Sequence, residues 1–206
     1  MGQSGPPLLI VCALRFERFA LRAGRRRMDA AAGPVRVIRT GMGAQAAERA
    51  VTDALSTPEM KNAAVLTTGL CAGLAPGMRP GDVVVADSVT GDRGDSDTLA
   101  AALKAAGHTV HIGRLAQSDH VVRGAERAAL RATGAIAVDM ESAAMMRAAL
   151  ALGAYPVAAA RVVVDTPEYE LVRVGTLRTG ITAFRVLRDL LPAFLNWHRS
   201  TALPWR

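Results

Sequence analysis

Hydrophobic positions along this chain fall into short continuous runs separated by amphipathic segments. Leu8-Leu-Ile-Val-Cys-Ala-Leu14 is the first run, and its unbroken apolar character predicts a strand buried on both faces. Arg15–Ala23 follows with helical spacing that places Phe16, Phe19 and Ala20 on one face. Val35–Arg39 predicts a second strand, Thr40-Gly-Met-Gly43 a tight turn, and Ala44–Leu55 the next helix. A third strand is expected over Ala63–Thr68, ending in a glycine-rich turn over Gly69–Gly77, and a fourth over Gly81–Asp87. Thr90–Asp97 is rich in Gly and Asp and reads as a loop. Leu99–Ala106 predicts a helix, His108–Leu115 a strand, Glu126–Ala132 a short helix, Tyr155–Val164 the last strand and Thr176–His198 a long closing amphipathic helix.

Gly134–Ala149 is the stretch around which the rest is organised. It is β-like through Val138, meets Asp139 and Glu141 on either side of Met140, and runs into Ala- and Met-rich helical sequence. A strand-to-helix junction puts side chains at the carboxyl end of a sheet, where open α/β folds bind ligands. Two readings of these acids stay open: caps on the helix dipole, or a functional pair. Two further acids stand at comparable places, Glu17 in the first turn after the first strand and Asp165 at the end of the last. Arg161 interrupts an apolar strand, so it either reaches solvent from a sheet edge or pairs with Glu17 or a ligand oxygen. Gln117-Ser-Asp-His120 marks another strand end, where Asp119 reads as a turn former and His120 as a solvated residue. Alternating strands and helices with acids at strand ends predict an α/β domain acting at the carboxyl edge of its sheet.

Composition narrows the classes. Half of the 206 residues are hydrophobic, which argues against disorder and for a single domain over residues 1–206, with 1–6 a flexible lead and 200–206 a tail. No apolar run is long and charge-free enough to span a bilayer, and the start of the chain lacks a basic leader, so a cytoplasmic protein is expected. Cys12 and Cys71 have no CxxC spacing and read as packed thiols. The net charge of +7 comes almost wholly from arginine. A solvated basic surface explains it first and an anionic membrane surface second; nucleic acid comes last, because no basic helix is interleaved with aromatics. No metal-ligand cluster, Ser-His-Asp order or Walker loop is present, and no cofactor is expected. Acid–base chemistry on a hydroxyl- and nitrogen-rich ligand remains.

Five segments, in order, resemble the type I purine nucleoside phosphorylase superfamily, nearest to its 5′-methylthioadenosine/S-adenosylhomocysteine nucleosidases. They are Ala13-Leu-Arg-Phe-Glu17, Thr40-Gly-Met-Gly43, Thr68-Gly-Leu-Cys-Ala-Gly-Leu-Ala-Pro76, Val138-Asp-Met-Glu-Ser-Ala143 and Arg161-Val-Val-Val-Asp165. The short length, the Ala-Val-Asp-Met-Glu-Ser-Ala-Ala wording and the closing Pro192–Arg199 resemble most the hopanoid-associated branch. The resemblance implies a three-layer α/β sandwich with a central mixed, mostly parallel sheet. It implies cleavage of an N-glycosidic bond, with Asp165 protonating the purine at N7 and Glu17 activating water. Arg161 would orient Glu17 or that water. Glu141 would take the ribose hydroxyls with Met140, Gly69 and Leu70 beside the sugar, and Val121, Val122 and Asp139 would line the purine pocket. The implied ligand is a nucleoside, lipid-linked in the hopanoid branch, with water or phosphate as co-substrate. The apolar face of the closing helix is expected to pack on the core or on a partner copy, with peripheral membrane contact through its end and a homodimer as further expectations.

Some positions depart from the resemblance. Thr67 and Leu70 stand where phosphorylases of this kind hold phosphate with Arg and Ser, which favours water; Arg15 or Arg39 would be the compensating cation. Val164 precedes Asp165 where relatives usually carry Ser, so a supporting hydrogen bond to the acid is either missing or supplied from elsewhere. The region between Asp87 and Leu99 is short, which implies a pocket open on one side and suited to a bulky 5′ group.

Overall fold

The computed structural model describes residues 5–25, 34–89, 92–93, 96–154, 156–168 and 176–202. Its strands are β1 (Leu8–Cys12), β2 (Val35–Arg39), β3 (Ala64–Gly73), β4 (Val83–Val89), β5 (Asp92–Arg93), β6 (Val110–Gln117), β7 (Ala135–Asp139) and β8 (Val157–Asp165). Its helices are α1 (Arg15–Arg25), α2 (Ala44–Leu55), α3 (Ser96–Ala105), α4 (Ala125–Ala132), α5 (Ser142–Ala151) and α6 (Thr176–Ala202). Parallel pairing joins β2, β1, β3 and β8, and also β4, β6 and β7. Antiparallel pairs β4–β8 and β3–β7 link the two sets, so β3, β8, β4, β6 and β7 form a closed ring. The sheet is thus mixed and mostly parallel with helices on both faces, as the sequence implies.

The strands are apolar on both sides because both sides are covered. Leu9, Val11, Val65 and Ala159 face α2 and α5, whereas Leu8, Ile10, Leu66 and Ala158 face α1, α3 and α6. A smaller cluster of Leu74, Ala116, Val122, Ala135 and Val138 sits below α4 with Leu130. Cys12 and Cys71 are free and buried, and burial pushes the Cys12 thiol up to about 12.

Four expectations need correction. Gly69–Gly73 is not a turn but the second half of β3, held by pairing to β8 and then β7. The Thr90–Asp97 loop contains β5, which pairs antiparallel with β4, and the first turn of α3; Thr90, Gly91, Gly94 and Asp95 lie outside the described residues. On α1 the inward face is Glu17, Ala20 and Leu21, while Phe16 and Phe19 are exposed. Glu17 is anchored to the backbone beneath the helix, which fixes that rotation, and Phe19 instead meets Phe184 of α6 at 5.8 Å between ring centres. Finally, residues 200–202 continue α6 rather than forming a tail; Met1–Ser4 and Leu203–Arg206 lie outside the described residues. Phe194 and Trp197 are wholly buried in the core below α6, so this face of the helix is not available to a membrane. No described helix is long and apolar enough to cross one.

Candidate active site

Three carboxylates far apart in sequence converge on one cavity at the carboxyl ends of the strands. Its lining includes Glu17, Glu141 and Asp165, with Leu14, Met42, Leu70, Val121, Val122 and Met140 as its apolar walls.

Glu17 owes its place to the β1–α1 junction. Its Oε2 accepts the amides of Ala13 (2.9 Å) and Leu14 (2.8 Å), and its Oε1 accepts the amide of Leu70 (3.1 Å). Burial raises its carboxyl above the usual range, while these amides and the Arg161 charge pull the other way. A buried carboxylate with a raised proton affinity is suited to act as a base on water. Gly69 makes room for it: a Cβ there would lie 2.8 Å from Glu17 Oε1 and 2.5 Å from Arg161 Nη1. Gly69 itself does not line the cavity; it lies beneath the two charged groups that do.

Asp139 and Glu141 divide the two roles left open for them. Asp139 is the cap: its Oδ1 accepts the Ser142 amide at 3.2 Å, and its Oδ2 accepts the Ser142 hydroxyl and lies 2.8 Å from Arg161 Nε. Its place on the cavity wall is therefore structural, and the expected purine contact through its carboxylate gives way to this ion pair. Glu141 makes no capping bond; its Oε1 accepts the Gly43 amide across the cavity at 3.0 Å. Gly43 has φ +90°, a backbone state that favours glycine, and it sets that amide at the start of α2. Burial raises the Glu141 carboxyl, with the Gly43 bond opposing it.

Arg161 is 1% exposed on a strand flanked by β3 and β4, so it is not an edge residue. It pairs with Asp139 rather than directly with Glu17, donating also to Ser142 Oγ (2.8 Å) and the Thr68 carbonyl (2.6 Å). Its charge reaches Glu17 through space, over Gly69.

Asp165 ends β8 at a bulge, where the pairing shifts from Cys71–Val163 to Ala72–Asp165. Bulges beside sites redirect side chains, and this one leaves Val164 and Asp165 both on the cavity wall. The support that Val164 cannot give comes from Arg127 of α4. Arg127 is 6% exposed, donates from Nη2 to Asp165 Oδ2 at 2.6 Å and from Nε to the Val122 carbonyl at 3.0 Å. Sequence reasoning passed over Arg127 because it sits among Arg123 and Arg131, which are exposed, and nothing in their spacing tells them apart. His120, expected as a solvated residue, has a side chain 58% exposed and also lines the cavity, with Nδ1 2.6 Å from Asp119 and Nε2 3.0 Å from Glu126. These acids raise the His120 proton affinity, the Asp119 bond contributing most. Val122 is buried against this wall, whereas Val121 is 63% exposed and, with Met42 at 70%, forms the rim. Thr67 lies outside the lining, as do Arg15 and Arg39, the cations considered for phosphate.

The chain resembles a 5′-methylthioadenosine/S-adenosylhomocysteine nucleosidase from Streptococcus pneumoniae, solved with a transition-state inhibitor: 22% identity over 92% of this chain and 98% of that one, TM-score 0.73. The Neisseria meningitidis nucleosidase in complex with methylthio-immucillin-A matches at 20% identity over 90% and 98% of the two chains, TM-score 0.72. The Campylobacter jejuni nucleosidase matches at 17% identity over 93% and 100%, TM-score 0.77. At such identities the likeness shows a shared fold. No curated protein matches the chain. The family model described as the phosphorylase superfamily matches residues 16–174, from the residue before Glu17 to beyond Asp165, and on that match the chain belongs to the phosphorylase superfamily.

Proposed function

We propose that the protein cleaves the N-glycosidic bond of a 5′-substituted adenosine and releases adenine, with adenosylhopane as the substrate that fits the chain's resemblances best. The observation that carries this reading is the convergence of Glu17, Glu141 and Asp165 on one largely apolar cavity. Cleavage of such a bond passes through an oxocarbenium-like sugar. The leaving base needs a proton, the sugar hydroxyls need acceptors, and the nucleophile needs a base. In this assignment Asp165, held by Arg127, delivers the proton to N7. Glu141, held by Gly43, accepts from the ribose hydroxyls, placing negative charge near the developing cation. Glu17, held by three amides, takes a proton from water. Met140 and Leu70 pack on the sugar, and Val121 and Val122 on the purine. Arg161 and Asp139 are a buried pair that positions this wall.

Hydrolysis is favoured over phosphorolysis. Among the described residues the arginines that line the cavity are Arg127 and Arg161, and each is ion-paired to a carboxylate of the protein, with Arg127 Nη1 the one buried guanidinium nitrogen of the pair left without a partner. The exposed apolar side chain of Met42 at the rim supports a large apolar 5′ group, and with it a lipid-linked substrate reached from a membrane surface. A homodimer is proposed by analogy alone. The test is adenine release, followed by chromatography, from adenosylhopane in detergent, methylthioadenosine and adenosine, each with and without phosphate. Release from adenosylhopane without phosphate is expected. Fast turnover of methylthioadenosine with none of adenosylhopane would replace the lipid-linked reading by a general nucleosidase.

A further inference from the structure

A second polar groove runs along the sheet edge formed by β2, apart from the nucleoside cavity. Arg18 and Arg22 of α1 and Arg36 and Arg39 of β2 line it, with Val35, Val37 and Ile38 between them. None of these arginines lines the cavity that holds Glu17, Glu141 and Asp165. Among the described residues no acidic residue lines the groove. Among the described residues none of the four arginines forms an ion pair. Arg36 Nη1 donates to Thr57 Oγ1 at 3.5 Å, and Arg18 Nε is shielded from solvent with no partner.

Part of this has a plain explanation. Positive side chains on an unpaired edge strand oppose the addition of another strand, which accounts for Arg36 and Arg39. It does not account for Arg18 and Arg22. They stand one helical turn apart, where like charges repel, and they face the same groove as the β2 pair. A guanidinium N–H withdrawn from water without a partner is also unfavourable. Each of these costs is relieved by an anion in the groove.

We propose that this groove binds a phosphate group, as free phosphate or as the headgroup of a lipid. Planar guanidinium forks match phosphate oxygens in pairs, and several arginines along one groove suit a group with three or four such oxygens. Phe19, 64% exposed, precedes Arg22 by three positions on α1, an apolar-plus-basic pair that suits the headgroup form. The inference is independent of what the cavity cleaves.

Inorganic phosphate binding by calorimetry and co-sedimentation with phosphatidylglycerol/phosphatidylcholine vesicles test it, with phosphatidylcholine vesicles as the blank. The groove variant Arg18→Ala/Arg22→Ala/Arg36→Ala is set against Arg49→Ala/Arg123→Ala/Arg131→Ala, which has the same net charge with the groove intact. The groove variant should bind one of the two probes at least about tenfold more weakly while the control keeps its binding. A loss confined to vesicles identifies a headgroup, and a loss of inorganic phosphate identifies the free anion. Arg36→Ala/Arg39→Ala, which changes exposed side chains only, repeats the test without altering α1. Equal losses in the groove and control variants would reduce the effect to bulk charge and overturn the proposal. So would binding of neither probe by the wild type. Adenine release by the groove variants should equal that of the wild type, and its loss would place these arginines in the cavity's machinery, overturning a separate site.

Discussion

A Cβ at Gly69 would stand 2.5 Å from Arg161 Nη1 and 2.8 Å from Glu17 Oε1, neither of which has freedom to move. Arg161 is fixed by Asp139, Ser142 and the Thr68 carbonyl, and Glu17 by three amides. Gly69→Ala is therefore expected to destabilise the fold by about 1–3 kcal/mol, as overpacking does, and to lower turnover by roughly 100-fold through displacement of Glu17. Thermal melting and kcat, measured together, check both parts. Glu17 also sets a pH dependence. In the proposed role it works as the carboxylate, and burial raises its proton affinity, so the acid limb of kcat/KM should lie above the ordinary glutamate value of about 4.3. The stability effect has the opposite sense. A carboxyl whose folded-state value is raised stabilises the fold fully below its unfolded value and loses that contribution as pH rises through the folded one. The melting temperature of the wild type relative to Glu17→Gln should thus fall across the same window in which activity rises. A flat difference would mean that Glu17 is not buried as described.

At the level of elements, the apolar runs were legible because strands covered on both faces carry no polar alternation, and β1, β2 and α2 follow their expected bounds closely. β3 was not. Its glycines, which locally favour a turn, are there for close approach: Gly69 under Glu17 and Arg161, and Gly73 against Met78 and Thr166. Pairing with β8 and β7 overrides the local preference, and no single segment of sequence contains that information. The same holds for the site. The carboxylates at strand ends were visible as residue types in positions where α/β sheets bind ligands. Arg127 was not, because its burial depends on how α4 lies over Val122 and Asp165. Helix α6 admits two readings from its sequence. Its aromatic and basic residues suit a membrane interface in composition, but core packing, the first reading of its apolar face, is what the fold shows: Trp197 is 0% exposed within the core below α1 and α3. Trp197→Ala should cost about 3–5 kcal/mol in denaturant unfolding. A variant of native stability would show that this face packs elsewhere.

The whole molecule joins these levels in one direction. Strands β1, β3 and β8 run parallel and deliver Glu17, Leu70 and Asp165 to the same end of the sheet. The closure of the ring through β7 brings Glu141 to meet them, and β2 with α2 brings the Gly43 amide that holds Glu141. Membership in the phosphorylase superfamily fits this plan, and the proposed assignment of roles rests on the cavity's residues together with the resemblance. The most direct test of that assignment is adenine release by wild type and Asp165→Asn from the best nucleoside of the panel, with nucleoside affinity measured in parallel. The assignment predicts a fall in turnover of about 10²–10⁴-fold, the size of a lost general acid, with affinity little changed. Turnover by Asp165→Asn at the wild-type rate would contradict it.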